Sequence, residues 1–479
     1  MTPKSDNTFD FWPSMQKKYG DFYCFGYPGL GAGLNGHLYV IQDPVEMAKL
    51  IRQEGKFPNG AAEFSWGMKK FFEDRNLEAQ HFFSRGPEWK RVRTFIQSDL
   101  LSVAASEAFL PAIIEAAKYS AKGASAYKDN LNEYSNHASF DMFSNVILGK
   151  CPRVTDPTVP TDPQDVEFCD TVASALRGSS KLMQSGHDIF WTKLLGIETN
   201  EYKEFAQNWD KAYQFSAEKT SSLLAKSMED MSEMEKNSYT IAAKNRVESK
   251  GSTLTLKEAE SISQGLIAAG VDTTGNNLNW KLLHLGLSPE AQERIYQEQL
   301  ALSGGDPENV TITPESVVKE NAPFLHACIR ESHRLANPAP SVPRKKFFKP
   351  ISVHGIDLPA GTVLVLDGYS AGVNKEVVGE DAMDYKPERF LKDAVEKRKG
   401  TKSQIIDHAF FKGPFSQGAR KCPGSRVANL ETAALLAAIC VEWEFTFPGV
   451  KHWTDVPYGL ETLTTCYLPA GEFKPRRKP

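Results

Sequence analysis

One cysteine stands in a setting that the other six lack. The run Phe415-Ser416-Gln417-Gly418-Ala419-Arg420-Lys421-Cys422-Pro423-Gly424 puts Cys422 in a glycine-bearing loop just before an Ala- and Leu-rich stretch, Gly424 to Val441, that predicts a helix. Glycines let backbone N–H groups approach the sulfur. The helix N-terminus and Arg420 add positive potential, which favours thiolate over thiol. A thiolate presented in this way is a metal ligand or a nucleophile. The plain alternative is a buried cysteine at a helix start, because unpaired cysteines are mostly buried. Cys24, Cys151, Cys169, Cys328, Cys440 and Cys466 are widely spaced, and no CxxC pair occurs. That excludes zinc-ribbon and thioredoxin-like sites and predicts a mostly reduced chain.

Three further groups could do chemistry or hold something that does. Trp89 and Arg93 are one helical turn apart, so both can face one ligand. A guanidinium offers a planar fork to a carboxylate, and Arg344 and Arg420 are further candidates for that work. Asp272 and Thr273 fall in the middle of a helical pattern where neither type is favoured, next to the small residues Ala269 and Gly270. A solvent-facing Asp-Thr-Thr at a helix kink is the alternative reading there. Glu331 and Arg334 share one helix face at i, i+3.

The elements that must position these groups come next. Hydrophobic residues make up 41% and charged residues 24% of 479 residues, as in globular proteins. Lys plus Arg is 56 against 60 for Asp plus Glu, a net charge of −4, so no global basic field points to nucleic acid. His37 to Pro44 reads as a strand, and Pro44 to Phe57 as a helix. Helices are predicted at Gly86 onward, Phe109 to Ser120 and His137 to Leu148. A long charge-laced helical region covers Glu201 to Met234, a run of more than 30 residues covers Thr255 to Leu287, and another helix covers Ala322 to Leu335. Thr155 to Gln164, Gly26 to Gly36 and Ser303 to Asn309 read as loops. Phe347 to Val353, Thr362 to Leu366 and Glu444 to Phe447 read as short strands. The sum is a mainly α chain with small β-sheets at both ends and no linker, hence a single domain over residues 1–479. The first twenty residues hold no apolar run, and Ala433 to Val441, the most apolar stretch, is too short to span a bilayer. The chain is therefore expected to be soluble.

The pattern Phe-x-x-Gly-x-Arg-x-Cys-x-Gly, from Phe415 to Gly424, resembles the haem-ligand loop of the cytochrome P-450 superfamily. A chance match of its five fixed positions is on the order of one in ten thousand. Ala428 and Glu431 continue the likeness. Ala269 to Thr274 resembles the family's oxygen-activation run, Glu331 to Arg334 its Glu-x-x-Arg, Pro387 to Phe390 its Pro-Glu-Arg-Phe, and Trp89 with Arg93 its Trp-x-x-x-Arg. All fall in the family's order. The resemblance implies a P-450 fold, a triangular prism of helices with a β-rich lobe. The lobe would comprise residues of about 20–60 and 343–370, and the helical haem-binding core about 87–335 and 405–445. It implies haem b with Cys422 as the axial iron ligand. It places Trp89, Arg93, Ala269, Gly270, Arg344, Phe415, Gly418, Arg420, Gly424 and Ala428 against the haem. Thr273 and Asp272 would form the proton relay, and Glu331, Arg334 and Arg389 the network that supports the Cys422 loop. His333, Tyr385 and Pro423 depart from the family's usual residues.

The implied function is monooxygenation: one oxygen atom of dioxygen enters a C–H or C=C bond of a hydrophobic or amphipathic small molecule. Electrons would come ultimately from NAD(P)H through a separate protein, a ferredoxin in preference to a flavoprotein reductase. That partner would dock on a basic face with Lys90, Arg91, Arg330, Lys412, Lys421 and Arg426. Phe64, Trp66, Ala268, Val342 and Thr464 are the expected substrate contacts. A monomer with peripheral membrane contact is expected. Its address is open between mitochondrion or plastid, after loss of a presequence, and endoplasmic reticulum, after loss of an anchor. The alternatives are a peroxide-driven isomerase or peroxygenase, and a non-catalytic haem-binding sensor.

Overall fold

Thirty-one residues, Leu256–Gly286, form one uninterrupted helix around which the other elements gather. A computed structural model describes residues 8–26, 37–58, 66–77, 85–249, 251–339, 344–460 and 463–476. Thr255 and Glu258 start the long helix with a reciprocal capping box. From Val271 to Gly286 every residue but Thr273 is buried, as expected of a helix running through the interior rather than along its surface. Its main neighbour is the helix Leu131–Leu148, also buried along most of its length. The two approach closely at Gly270, where an added Cβ would lie 2.2 Å from a Phe143 ring carbon. Helices Asn200–Leu224 and Pro163–Gln184 pack together on another flank, and Ser425–Glu442 packs on Leu110–Gly123.

The main sheet orders its strands Phe22–Gly26, His37–Ile41, Val363–Leu366, Arg344–Lys346. The middle pair is parallel (Tyr39 opposite Leu364) and the outer pairs are antiparallel. Three two-stranded sheets complete the β structure among the described residues; one, Tyr458–Leu460 with Thr464–Cys466, is tied to the long helix. Trp280 Nε1 donates to Thr464 O at 2.8 Å, and Thr465 Oγ1 to Asn276 Oδ1 at 2.7 Å. The fold is mainly α with small separate sheets, as the composition and periodicity predicted.

Several boundaries differ from the sequence reading for identifiable reasons. The helix from Pro44 stops at Gln53 because Gly55 takes φ +75° two residues later. Of the strand expected over Phe347 to Val353 only Ile351–Val353 forms, after Pro350, while a strand precedes it at Arg344–Lys346. The region Glu201 to Met234 holds a helix that ends at Leu224 and a separate short one, Glu233–Lys236. Helices Pro163–Gln184 and Pro289–Leu302 had no counterpart in the sequence reading. The Gly26 to Gly36 loop lies, from residue 27 on, outside the described residues. No single helix is long and apolar enough to cross a membrane among the described residues.

Candidate active site

The Cys422 loop is a closed turn. Cys422 N donates to Phe415 O at 2.9 Å, and Lys421 N to Gly418 O at 3.0 Å. Gly418 at φ +85° tolerates a backbone that an L side chain rarely adopts, and a Cβ there would sit 2.6 Å from Glu54 Oε2. Burial pushes the Cys422 thiol pKa up, while the Gly424 N–H, Arg93 and Lys421 pull it down. Burial prevails, so the free thiol keeps its proton; the three groups that oppose it would favour the thiolate that ligation of a metal requires. Gly424 precedes the helix Ser425–Glu442, and a Cβ on it would meet nothing within 4 Å.

The helix Gly86–Leu100, started by Pro87 in its first turn, brings Trp89 and Arg93 to the same place. Trp89 is 0% exposed, and its indole N–H has no hydrogen-bond partner among the described residues. Arg93 is 2% exposed; burial lowers its pKa and Cys422 raises it, so guanidinium and sulfur sense one another. Arg420 lies over the Trp89 ring at 4.3 Å and donates through Nε to Pro58 O at 2.9 Å. Arg344 opens a strand whose next residue, Lys345, donates to Gln417 O at 3.0 Å, which brings that strand to the same loop. A buried indole donor wanting an acceptor, several guanidiniums and a thiol fit a carboxylate-bearing, thiolate-ligated haem.

On the long helix, Thr273 is exposed amid buried neighbours and donates through Oγ1 to Ala269 O at 2.9 Å. With its proton placed there, the hydroxyl presents lone pairs to the open side; it must leave Ala269 O before it can donate elsewhere. Asp272 is buried, and its own carbonyl accepts from Asn276 Nδ2 at 3.0 Å. At Gly270 the direction a side chain would take is filled by the Phe143 ring, so the close approach of the two helices requires a glycine there.

Glu331, Arg334 and Arg389 come together. Arg334 grips Glu331 with two bonds of 2.6 and 2.7 Å, and Arg389 Nε approaches Glu331 Oε1 at 3.2 Å. Both arginines also donate to backbone carbonyls, Gly372, Ala382 and Asp381 among them, so the buried charges are satisfied. His333, unusual for the family, donates Nε2–H to Asn277 Oδ1 at 2.8 Å and meets the Phe415 ring edge-on at 6.1 Å. Burial holds this histidine well below its ordinary pKa, hence neutral.

Other expected contacts fall elsewhere. Trp66 is buried against Tyr202, with Nε1 on Leu182 O at 3.2 Å. Ala268 and Thr464 are also buried, which leaves the three little surface to offer a substrate, while the neighbouring Ala269 is partly open. Phe64 and Val342 lie outside the described residues. The basic face is thinner than expected. Arg91 is engaged by Glu88 and Glu258, and Arg330 pairs with Asp407 at 3.0 Å while covering the Phe390 ring. Lys90, Lys412 and Arg426 are exposed, and Lys421 is half-buried. Sequence reasoning missed Lys345, Glu54 and Asn277, which hold the loop or its neighbours. A lone Lys or Glu in a strand or at a helix end carries no spacing signal.

Comparison with known proteins agrees with this geometry. The cytochrome P450 family model matches residues 2–461. The mitochondrial sterol 26-hydroxylase of Rattus norvegicus is 24% identical over 425 residues, 86% of this chain and 75% of that protein. The ecdysone 20-monooxygenase of Drosophila melanogaster is 24% identical over 463 residues, 93% of this chain and 79% of that protein. The Homo sapiens mitochondrial sterol 26-hydroxylase is 23% identical over 430 residues, with coverages of 85% and 74%. The chain belongs to the cytochrome P450 family. It is a haem-thiolate monooxygenase, an oxidoreductase.

Proposed function

We propose that Cys422 supplies the axial sulfur to a b-type haem, and that Trp89, Arg93, Arg344 and Arg420 hold its carboxylates. The carrying observation is the buried Trp89 N–H, without a hydrogen-bond partner among the described residues, beside Arg93 and Arg420 and within electrostatic reach of Cys422 through Arg93. The bound haem supplies the activation of dioxygen. Phe415, Gly418, Gly424 and Ala428 shape the loop and helix start beneath it. Asp272 and Thr273 deliver protons from the long helix, with the Thr273 hydroxyl swinging off Ala269 O to do so. Glu331, Arg334 and Arg389 keep the loop in place and do no chemistry.

The substrate is a rigid hydrophobic molecule of sterol size, in line with the names of the sterol and ecdysone relatives. Electrons derived from NAD(P)H arrive through a ferredoxin docking near Lys90, Lys421 and Arg426, with a mitochondrial address. The protein works as a single-domain monomer touching a membrane surface through Phe190, Trp191, Leu194, Leu195 and Ile197, all exposed within eight residues.

Reconstituted turnover tests the function. Product that depends on NADPH, ferredoxin and its reductase is expected. Product from a hydroperoxide alone would favour the isomerase or peroxygenase, and haem binding without turnover a sensor. Cys422→Ala is expected to abolish the red-shifted thiolate Soret band of the reduced carbonyl complex, and a persisting band would remove Cys422 as the ligand.

A further inference from the structure

A buried ion pair that the sequence reading passed over touches the thiolate loop from the sheet side. Glu54 caps the helix Pro44–Gln53, and Lys345 is the middle residue of the strand Arg344–Lys346. Lys345 Nζ lies 2.7 Å from Glu54 Oε1, with the two side chains only 4% and 6% exposed. The same ammonium donates to Gln417 O at 3.0 Å. The other carboxylate oxygen, Glu54 Oε2, is buried without a hydrogen-bond partner among the described residues and faces Gly418, the next residue of the loop. Glu54 also senses Arg420, which together with Lys345 offsets the rise in its pKa that burial causes. Lys345 stands opposite Leu364, which belongs with Met47 and Leu50 of the neighbouring helix to one apolar cluster.

A well-packed apolar pair would hold helix and strand together at least as well as two buried charges, so stability alone does not explain this choice. Position does. The ammonium grips the backbone of Gln417, and the carboxylate stands against Gly418 and beside Arg420, the guanidinium two residues before Cys422. We infer that Glu54 and Lys345 are positioning residues that fix the loop, each charge cancelling the effect of the other on the electrostatic potential at Cys422. The inference rests on Cys422 being the haem ligand.

The test is the midpoint potential of the haem in the purified holoprotein. Glu54→Gln leaves Lys345 uncompensated and should raise the potential, since added positive charge favours the reduced form. Lys345→Met leaves Glu54 uncompensated. It should lower the potential at high pH and make it pH-dependent as Glu54 takes up a proton. The double variant should return close to wild type. A pair with a purely structural role predicts single variants that shift in the same direction, or not at all, and a double variant that is no better. Either result would overturn the inference. Should Glu54→Gln fail to load haem, Lys345→Arg gives the second reading: it keeps the charge and should keep the wild-type potential. A Lys345→Arg shift as large as that of Lys345→Met refutes the electrostatic role. A wild-type protein without the thiolate Soret band would refute the ligand assignment instead, so the two failures are told apart.

Discussion

Gly270→Ala separates packing from chemistry on the long helix. An Ala Cβ would meet three Phe143 ring atoms at 2.2, 2.5 and 2.6 Å, against a comfortable carbon–carbon separation of about 3.5–4.0 Å. Relief therefore needs a shift of more than about 1 Å by a ring buried between two tightly packed helices. Overpacking of this kind costs about 1–3 kcal/mol. The better helix propensity of alanine returns about 0.8–1.0 kcal/mol, which leaves a net loss of about 0–2 kcal/mol. The thermal midpoint should then fall by up to a few degrees. The stronger test is the cycle with Phe143→Ala, which alone should cost about 3–5 kcal/mol for the cavity it opens. In the double variant the methyl group occupies part of that cavity, so the combined loss should fall short of the sum of the single losses by about 1–2 kcal/mol. Measured midpoints of the four proteins at one scan rate give this coupling. Additive losses in that cycle would refute the packing account.

Glu331→Gln leaves Arg334 and Arg389 buried without their carboxylate, and a broken buried pair costs about 3–5 kcal/mol; soluble holoprotein should drop sharply, and a normal yield with a normal midpoint would count against the supporting role. Asp141 is buried and accepts from Val154 N, Thr155 N and Thr155 Oγ1. Burial pushes its pKa from 3.8 up to about 6, so the folded chain holds this proton to higher pH than the unfolded one does. Its contribution is therefore complete below about pH 4 and is lost as pH rises through about 6, at most about 3 kcal/mol. Asp141→Asn should flatten that part of the midpoint–pH curve, and parallel curves for the two proteins would reject the assignment.

The site was more legible in the sequence than parts of the fold were. Cys422, Glu331, Arg334 and Trp89 sit in runs whose spacing is itself the signal, and neighbours along one helix must be neighbours in space. Proline hid two helices: Pro163 fell inside the loop read over Thr155 to Gln164 and Pro289 just past the predicted long helix, yet both prolines stand in a first helical turn, where the missing N–H costs nothing. The same placement was read correctly at Gly86-Pro87 because Trp89 and Ile96 supply the periodicity behind it. Contacts joined only by tertiary folding left no trace: nothing local in Gly270 announces Phe143, and nothing local in Lys345 announces Glu54 or Gln417. Trp66 and Ala268 are buried, and their apolar type alone carries no signal of whether they face a pocket or the core.

The parallel pairing of His37–Ile41 with Val363–Leu366, reinforced by Gln42 Nε2 donating to Asp367 Oδ2 across 325 residues, has a consequence for biosynthesis. The hairpin made first must wait for its sheet neighbour until three quarters of the polypeptide has left the ribosome. At about 5–20 residues per second that wait lasts roughly 15–65 s. During it the hairpin offers an unsatisfied backbone edge to any passing strand. Nascent chains stalled before Val363 should therefore recruit chaperones that release once translation passes Leu366.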